Sequence, residues 1–131
     1  ASTGSFLEEQ AVCLGINIKE EFATRALAST RPLDLGDRCT IFATNSLLKF
    51  QNAPLEDKLA GLAYSICYNY LNRVVGGKPI GDNISFQGAV AYNNAAVSAF
   101  ETILGKKIYV PEYPHLTGPI GAAKIAMENG N

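Results

Sequence analysis

Cysteine is the residue type in this chain that can take part in the widest range of reactions, because its thiolate can attack an electrophile or bind a metal. The chain has three cysteines, Cys13, Cys39 and Cys67, which lie far apart and form no C-x-x-C or C-x₂₋₄-C pair. They are accompanied by a single histidine, so the sequence supports neither a disulfide framework nor a self-contained zinc site. This scattered, odd count favours a reducing, cytoplasmic setting.

The three cysteines differ in their sequence surroundings. Cys13 and Cys67 fall on apolar faces of predicted helices, where we expect them to be small core side chains. Cys39 belongs to the charged and polar stretch 37–40, in a predicted turn before a short strand, where a thiolate could be reached. The spacing alone favours a structural role for Cys39 and leaves a reactive role open.

A second candidate site is the turn at Gly88. A short strand is predicted before it, at Ile84-Ser85-Phe86, and a helix after it. Glycine at such a turn lets the backbone approach a ligand, and a helix N-terminus favours negative charge or polar acceptors. A single glycine at such a position, as at Gly88, is more commonly explained by an ordinary strand-to-helix turn. The motifs G-x-G-x-x-G and G-x-x-x-x-G-K-[ST] are absent, so a Rossmann dinucleotide site and a Walker ATPase are unsupported.

The remaining polar candidates carry weaker signals. Residues 34–37, Asp-Leu-Gly-Asp, are expected to form a surface turn rather than a magnesium loop, and His115 to make a structural polar contact. The sequence shows no Ser/His/Asp set, no carboxylate pair at helical spacing and no metal-ligand cluster, so it predicts no catalytic residue. The residues alone indicate an α/β domain with one plausible ligand turn.

Composition limits the class of protein. The chain has 131 residues, 47% of them hydrophobic and 18% charged, which suits one globular domain over residues 1–131. Eleven basic residues against twelve acidic ones leave no positive field for nucleic acid. No apolar run approaches the ~20 residues of a bilayer span, so no membrane partner is expected. Glu8 and Glu9 follow the first residues closely, unlike a signal peptide.

Apolar periodicity predicts the elements that must position these candidates. A capping box of Ser5 and Glu8 is expected to open the first helix, and Asn17 to cap the second. The inward-facing residues of the second helix are predicted to be Phe22, Ala26 and Leu27. A β-prone run and a helix should follow at residues 39–42 and 45–50.

The longest helix is predicted to begin after Pro54, since apolar residues then recur every three or four positions. These residues are Leu55, Leu59, Leu62, Ile66, Tyr70 and Val74. Short strands at residues 84–87 and 107–110 should flank a helix at 91–104, and a last helix should run over 120–127. The side chains expected to be buried are Leu59, Leu62, Ile66, Val97 and Phe100. This order predicts a helix-rich α/β fold with a small, mostly parallel sheet.

Four stretches also resemble a known family. They are Ile-Ser-Phe-Gln-Gly-Ala-Val-Ala-Tyr-Asn-Asn and the helix after it, within 84–104; the loop and helix at 108–123; Arg-Cys-Thr-Ile-Phe-Ala-Thr-Asn-Ser-Leu-Leu at 38–48; and Thr-Gly-Ser-Phe-Leu-Glu at 3–8. The first is similar to the adenosine motif of the actin, sugar-kinase and Hsp70 superfamily. Together they resemble the activator ATPases of 2-hydroxyacyl-CoA dehydratases and benzoyl-CoA reductases, the BadF/BadG/BcrA/BcrD family.

The resemblance implies a helix-rich lobe of an actin-like ATPase, the second of two lobes that hold ATP or ADP with Mg²⁺ between them. It implies that Thr3 and Gly4 lie near the nucleotide. It also implies that Gly88, Ala89 and Asn93 lie beside the nucleoside.

The resemblance further implies that Cys39 is one ligand of a [4Fe–4S] cluster shared by two activator modules at their dimer interface. An ATP-driven rearrangement would let the cluster pass a low-potential electron to a partner dehydratase or reductase. Family members have a second cysteine shortly before the turn that Thr3 and Gly4 resemble, ahead of residue 1 here. We therefore expect neither a cluster nor a bound nucleotide in the 131 residues alone.

The chain also departs from the family pattern. Ala89 stands where a second glycine is usual, and its methyl group narrows the approach to adenine or ribose. Ser2 replaces the first glycine of the G-T-G turn. The phosphate-binding hairpins with Asp-x-Gly cores are missing and would precede residue 1. The chain is therefore expected to be the second lobe of a longer activase, and ATPase activity is expected only of that parent protein.

Two other functions stay open. One is a lobe of a sugar- or acid-kinase-type phosphotransferase, which has no use for Cys39, so cluster spectra of the parent protein would distinguish it. The other is a non-catalytic, actin-like regulatory domain, which the departures at Ser2 and Ala89 favour. Nucleotide titration of the parent protein would decide that case.

Overall fold

The computed structural model describes residues 3–38 and 40–130, and helices make up most of this range. The regular elements, in chain order, are α1 (Thr3–Cys13), α2 (Ala23–Leu27), α3 (Thr40–Lys49), α4 (Leu55–Tyr70), β1 (Ile84–Ser85), α5 (Asn94–Leu104), β2 (Ile108–Tyr109) and α6 (Thr117–Asn129). Three short irregular helices join them: π-helical turns at Ile18–Phe22 and Leu71–Val75, and a 3₁₀ turn at Ala89–Tyr92. None of the helices in the described ranges is long and apolar enough to cross a membrane.

The core lies where α2, α4 and α5 pack against one another. The predicted stripe on α4 is confirmed in its central part, since Leu59, Leu62 and Ile66 are buried. From α5 the fully buried side chains are alanines, and such small side chains let the two helix backbones approach closely. Val97 and Phe100 are therefore only half-buried, at the edge of the α4–α5 contact rather than inside it.

The far end of the predicted stripe on α4 is wrong. Tyr70 is 49% exposed and Val74 is 60% exposed. At Leu71 the helix changes to π-helical hydrogen bonding, and the N–H of Gly76 donates to the carbonyl of Leu71, five residues earlier, at 2.9 Å. The wider turn changes the angle between successive side chains, so Val74, which lies within it, leaves the buried face.

The predicted parallel strands are confirmed. β1 and β2 pair in parallel, with Ile84 opposite Ile108 and Ser85 opposite Tyr109. Helix α5 connects them and ends at Gly105, whose left-handed backbone (φ 62°) is the expected glycine stop. The Glu101 carboxylate accepts a hydrogen bond from the N–H of Ile108 at 3.0 Å, which fixes where β2 begins.

The second helical segment begins as the sequence predicts. The side chain of Asn17 accepts hydrogen bonds from the N–H groups of Lys19 (2.9 Å) and Glu20 (3.3 Å). The N–H of Asn17 in turn donates to Glu21 Oε2 at 2.9 Å, because the first turn is π-helical and brings that side chain over the cap.

Two predicted boundaries in the first half of the chain are wrong. Ser5 does not cap α1, because the helix already includes Thr3. Residues 40–42 belong to α3 rather than to a strand, since α3 packs on α4 and buries Ala43 and Leu47. That burial outweighs the helix penalty of β-branched residues, which is a few tenths of a kcal/mol each. Cys39, the first residue of the predicted strand, lies outside the described residues.

Two residues expected in the core face solvent instead. Cys13 is exposed at the last residue of α1, beyond the buried residues 6, 7, 10 and 11. Leu27 is 52% exposed, because α2 ends there, one position beyond the buried Ala26.

The boundaries of the last two helices also differ from the predicted ones. α5 begins at Asn94 rather than at residue 91, because the preceding residues form the 3₁₀ turn. α6 begins at Thr117 rather than at residue 120, with Pro119 in its first turn, where a missing N–H is tolerated. No residue of α6 is buried.

Candidate functional site

A cleft of about 490 Å³ lies between the end of α4 and the segment that leads from β1 into the Gly88 turn. We call it the Gly88 cleft. Thr3, Gly88 and Ala89 all line it, so the fold brings the start of α1 to the predicted ligand turn. Gly4 is close as well, since a Cβ atom built there would lie 3.9 Å from Val90 Cγ2. Four of the five predicted nucleotide residues therefore lie together.

The walls of the Gly88 cleft are largely apolar and include aromatic rings. Phe86 and Phe100 meet edge to face with ring centroids 5.2 Å apart, and Tyr70 meets Phe100 in the same way at 5.9 Å. The described residues that line the cleft include no charged side chain. An apolar, aromatic wall with a few polar groups suits a flat heterocycle better than a polyanion.

Gly88 has a backbone conformation that favours glycine, with φ 94° and ψ 167°. Its N–H donates to the carbonyl of Pro114 at 2.8 Å, and its carbonyl accepts from the N–H of Ala91 at 3.1 Å. The first bond ties the turn to the loop after β2, and the second starts the 3₁₀ turn. Both polar groups of Gly88 are thus used by the protein, so its contribution to a ligand is close backbone approach.

The loop after β2 closes over the Gly88 turn. Pro114 is buried, and its carbonyl also accepts from Thr117 Oγ1 at 2.7 Å. Tyr92 Oη and His115 Nδ1 lie 2.5 Å apart, and their rings are in contact. His115 thus makes the structural polar contact that the sequence predicts. The two stretches 84–104 and 108–123 form one unit through these contacts.

Asn93 is placed differently from the other predicted nucleotide residues. Its side-chain oxygen caps α5 by accepting from the N–H groups of Ala95 (3.0 Å) and Ala96 (3.3 Å). Its Nδ2 is buried and has no hydrogen-bond partner in the described part of the chain. Asn93 is not among the described residues that line the Gly88 cleft. Its observed role is to cap α5 and so to connect the 3₁₀ turn to that helix.

A second feature is an extended segment, residues 29–38, which we call the strap because it runs along α4. At its start Ser29 Oγ donates to Asp57 Oδ1 at 2.6 Å, and the N–H of Leu33 donates to the Asp57 carbonyl at 3.1 Å. Leu35 is buried, and Ser65 Oγ donates to the carbonyl of Gly36 at 2.7 Å. The strap is therefore attached to α4 along its length.

The predicted surface turn at 34–37 is the last part of the strap. Asp34 Oδ1 accepts from the N–H of Gly36 at 3.0 Å, a local turn bond. Asn72 Nδ2 donates to Asp37 Oδ2 at 2.8 Å, so this carboxylate already has a protein partner. The interpretation as a turn rather than a magnesium loop is supported by these bonds.

Cys39 follows the strap directly and lies outside the described residues. Its predecessor Arg38 lines a small cavity together with Thr3, so the strap ends beside the start of α1. Thr40 begins α3, and the guanidinium of Arg38 lies over the ring of Phe42, 5.8 Å from its centroid.

The other two cysteines lie in different surroundings, one exposed and one buried. Cys67 is fully buried, its Sγ lies 3.5 Å from the carbonyl of Ala96, and burial raises the pKa of its thiol to about 12. Cys13 lies at the far end of α1 from Thr3, ~15 Å along the helix axis. Within residues 3–38 and 40–130 no group of three metal-binding side chains gathers.

The residues that hold the strap were missed from the sequence. Gly61, Ser65, Asn69 and Asn72 lie on one face of α4 and its π-helical continuation, at spacings of four, four and three. The sequence did contain a signal for them, because α4 carries small and polar residues along one face in addition to its apolar stripe. It predicts a polar segment docked on that face.

No known protein-family model matches the chain. Among curated proteins, the chain is 31% identical over 132 residues to the 2-hydroxyisocaproyl-CoA dehydratase activator of Clostridioides difficile, a match that covers 98% of this chain and 48% of the relative. The chain thus spans about half the length of this curated relative.

Two solved structures share the fold. One is the activator of the 2-hydroxyisocaproyl-CoA dehydratase from Clostridium difficile with bound ADPNP, at 28% identity and a TM-score of 0.82, covering 96% of this chain and 47% of that one. The other is component A of the (R)-2-hydroxyglutaryl-CoA dehydratase of Acidaminococcus fermentans, at 26% identity and the same TM-score, covering 94% and 48%. These matches confirm the predicted fold class, a helix-rich lobe of an actin-like ATPase.

Proposed function

We propose that this chain, a homologue of 2-hydroxyacyl-CoA dehydratase activators over about half of their length, is the second lobe of such an ATP-dependent activator. The observation that carries the proposal is the likeness to an activator with bound ADPNP over 96% of the chain, at a TM-score of 0.82. The partner of the whole protein would be a 2-hydroxyacyl-CoA dehydratase or a benzoyl-CoA reductase-type component. A cytoplasmic setting fits the scattered cysteines.

In this proposal the Gly88 cleft receives the adenosine end of ATP or ADP. Its apolar and aromatic walls suit a purine, the backbone at Gly88 can approach closely, and Thr3, Gly4 and Ala89 complete the rim. Asn93 would support the site by holding the 3₁₀ turn to α5. Phosphates and Mg²⁺ need charged groups, and the described lining of this cleft supplies none. The proposal assigns those groups to the other lobe of the activator.

In the same proposal Cys39 is one ligand of a [4Fe–4S] cluster shared with a second activator module. The donor set fits in kind, because a thiolate is the usual ligand, and residue 39 follows a cation and precedes a helix N-terminus. When bound, such a cluster supplies a low-potential electron for the dehydratase or reductase. This chain's own contribution is to hold the end of the strap beside the start of α1, where the two lobes and the two modules would meet.

The nucleotide part of the proposal is tested in the full-length parent protein by calorimetry with ADPNP and Mg²⁺. Ala89 is exposed and lines the cleft, so Ala89→Leu adds bulk at the rim with little cost to stability. We expect the affinity for ADPNP to fall by about tenfold or more. Ala126→Leu makes the same change on the exposed α6 and should leave the affinity unaltered. Equal affinities of the two variants would contradict the assignment of the cleft.

The electron-transfer part is tested separately. The parent protein, purified without oxygen, should contain iron and acid-labile sulfide and show the absorbance of a [4Fe–4S] cluster, and Cys39→Ala should lose all three. A parent that binds ADPNP but holds no iron in either form would instead favour a phosphotransferase or a regulatory domain.

A further inference from the structure

One aromatic ring in the wall of the Gly88 cleft is half open to solvent. Tyr70, the last residue of α4, lines the cleft and is 49% exposed, whereas Ile66, one helical turn earlier, is buried. The Tyr70 ring is held by the ring of Phe100, which it meets edge to face with centroids 5.9 Å apart. Phe100 packs in turn on Phe86 in the same way at 5.2 Å. The exposed part of the Tyr70 ring therefore has a fixed place in the cleft wall.

The other side of the cleft is formed by the segment that leads into the Gly88 turn. Gly88 has no side chain, and its N–H and its carbonyl are both bonded within the protein. Ala89 adds only a methyl group. An aromatic ring on one side and an almost bare backbone on the other form a slot that suits a flat ring system. The volume of about 490 Å³ is within the range of small-molecule sites, about 300–1,000 Å³.

The helix changes its hydrogen bonding directly after Tyr70. Residues Leu71–Val75 form the π-helical turn, and both Leu71 and Val75 line the cleft together with Tyr70. Turns of this kind are rare and occur frequently at functional sites. The least regular part of this helical segment therefore coincides with the wall of the cleft.

We propose that Tyr70 is the ring on which the heterocycle of a bound purine nucleotide stacks, an inference that rests on the proposed function of the Gly88 cleft. Stacking between an aromatic side chain and a base needs two flat faces and neither a hydrogen bond nor a charge. This matches the cleft, whose described lining has no charged side chain. Tyr70 is then a binding residue for the nucleoside, rather than the core residue that its spacing on α4 predicts.

Calorimetry with ADPNP and Mg²⁺ on the full-length parent protein tests this role. We expect Tyr70→Leu to weaken the binding of ADPNP by about tenfold or more, because a stacking ring is lost, and Tyr70→Phe to bind within about twofold of the wild type, because the ring is kept. Tyr68→Leu is the matched control: Tyr68 lies on the same helix, is 42% exposed and is not among the described residues that line the Gly88 cleft. It should leave the affinity unaltered. Wild-type affinity in Tyr70→Leu, or an equal loss in Tyr70→Phe, would overturn the stacking role.

A second variant gives a direct signal and does not depend on the removal of the ring. Tyr70→Trp keeps an aromatic face and adds a fluorophore, since the 131 residues contain no tryptophan. Its emission, measured as the difference from the wild-type parent, should be quenched when ADPNP and Mg²⁺ are added. Unaltered emission while calorimetry shows bound ADPNP would place the base elsewhere and overturn the inference alone. A wild-type parent that binds no ADPNP would instead refute the proposed function of the cleft, and the role of Tyr70 with it.

Discussion

Gly61 is the residue whose replacement tests the docking of the strap on α4 most directly. It lies inside α4 and is covered by the strap. A Cβ atom at this position would lie 2.6 Å from the carbonyl oxygen of Leu33, 3.1 Å from Leu33 Cβ and 3.2 Å from Leu35 Cδ1. The first distance is far below van der Waals contact, and the oxygen belongs to backbone that is fixed nearby by the bond from the N–H of Leu33 to the carbonyl of Asp57.

Two opposing terms set the size of the effect of Gly61→Ala. Alanine in a helix interior is worth about 1 kcal/mol relative to glycine. Inserting a methyl group into close-packed structure costs about 1–3 kcal/mol, and a backbone atom that must move places this case at the upper end. We therefore expect a net loss of about 1–2 kcal/mol, or a fall in melting temperature of about 3–10 °C for a domain of this size.

Thermal and urea unfolding followed by far-UV circular dichroism measure this loss. Gly121→Ala is the matched control, because Gly121 lies in α6 and a Cβ there meets nothing within 4 Å. The control should be neutral or stabilising by up to about 1 kcal/mol. If Gly61→Ala were as stable as Gly121→Ala or more so, the strap would not be docked on α4 as described.

Three further predictions follow from other parts of the molecule. Cys13 should react with a thiol reagent at pH 8 in the folded chain, and Cys67 should react only after unfolding. The reason is that Cys67 is fully buried and the pKa of its thiol is raised to about 12. Rapid labelling of Cys67 in the folded chain would contradict the packing of α4 on α5. Hydrogen bonds from Ile108 and Lys107 lower the pKa of Glu101 below its ordinary value of 4.5. The Glu101 carboxylate therefore stabilises the fold fully at a pH above 4.5, and this stabilisation is lost as the pH falls through the lower pKa of the folded state. Glu101→Gln should flatten this part of the pH–stability curve in urea titrations, and an unaltered curve would refute the role of Glu101. Calorimetry with ATP and Mg²⁺ on the 131-residue chain should give a Kd no tighter than roughly millimolar, whereas a micromolar constant or release of phosphate would show a complete site.

The strap connects the two parts of the candidate site. It is attached to α4 and the π-helical turn after it, from Asp57 to Asn72, and it ends where Arg38 lines a cavity with Thr3. Thr3 also lines the Gly88 cleft.

The sequence by itself determined the elements whose signals are local. Asn17 and Gly105 mark helix ends through their own backbone and side-chain chemistry, and the periodic leucines of α4 specify a helix with one buried face. The two parallel strands follow from a short apolar run on each side of a helix, because a parallel pair needs such a crossover. The stretch within 84–104 that resembles an adenosine motif is also local, because its strand, glycine turn and helix follow one another along the chain.

Only the tertiary structure decided which distant residues meet. Residues 40–42 carry a local β preference, yet they are helical because Ala43 and Leu47 gain more by packing on α4 than a strand without a partner could. Thr3 and Gly88 line one cleft, and Asn69 donates to the carbonyl of Arg38, although these residues belong to segments far apart in the chain. No local pattern encodes such pairings, because their free energy comes from burial and hydrogen bonds that exist only once the helices have packed.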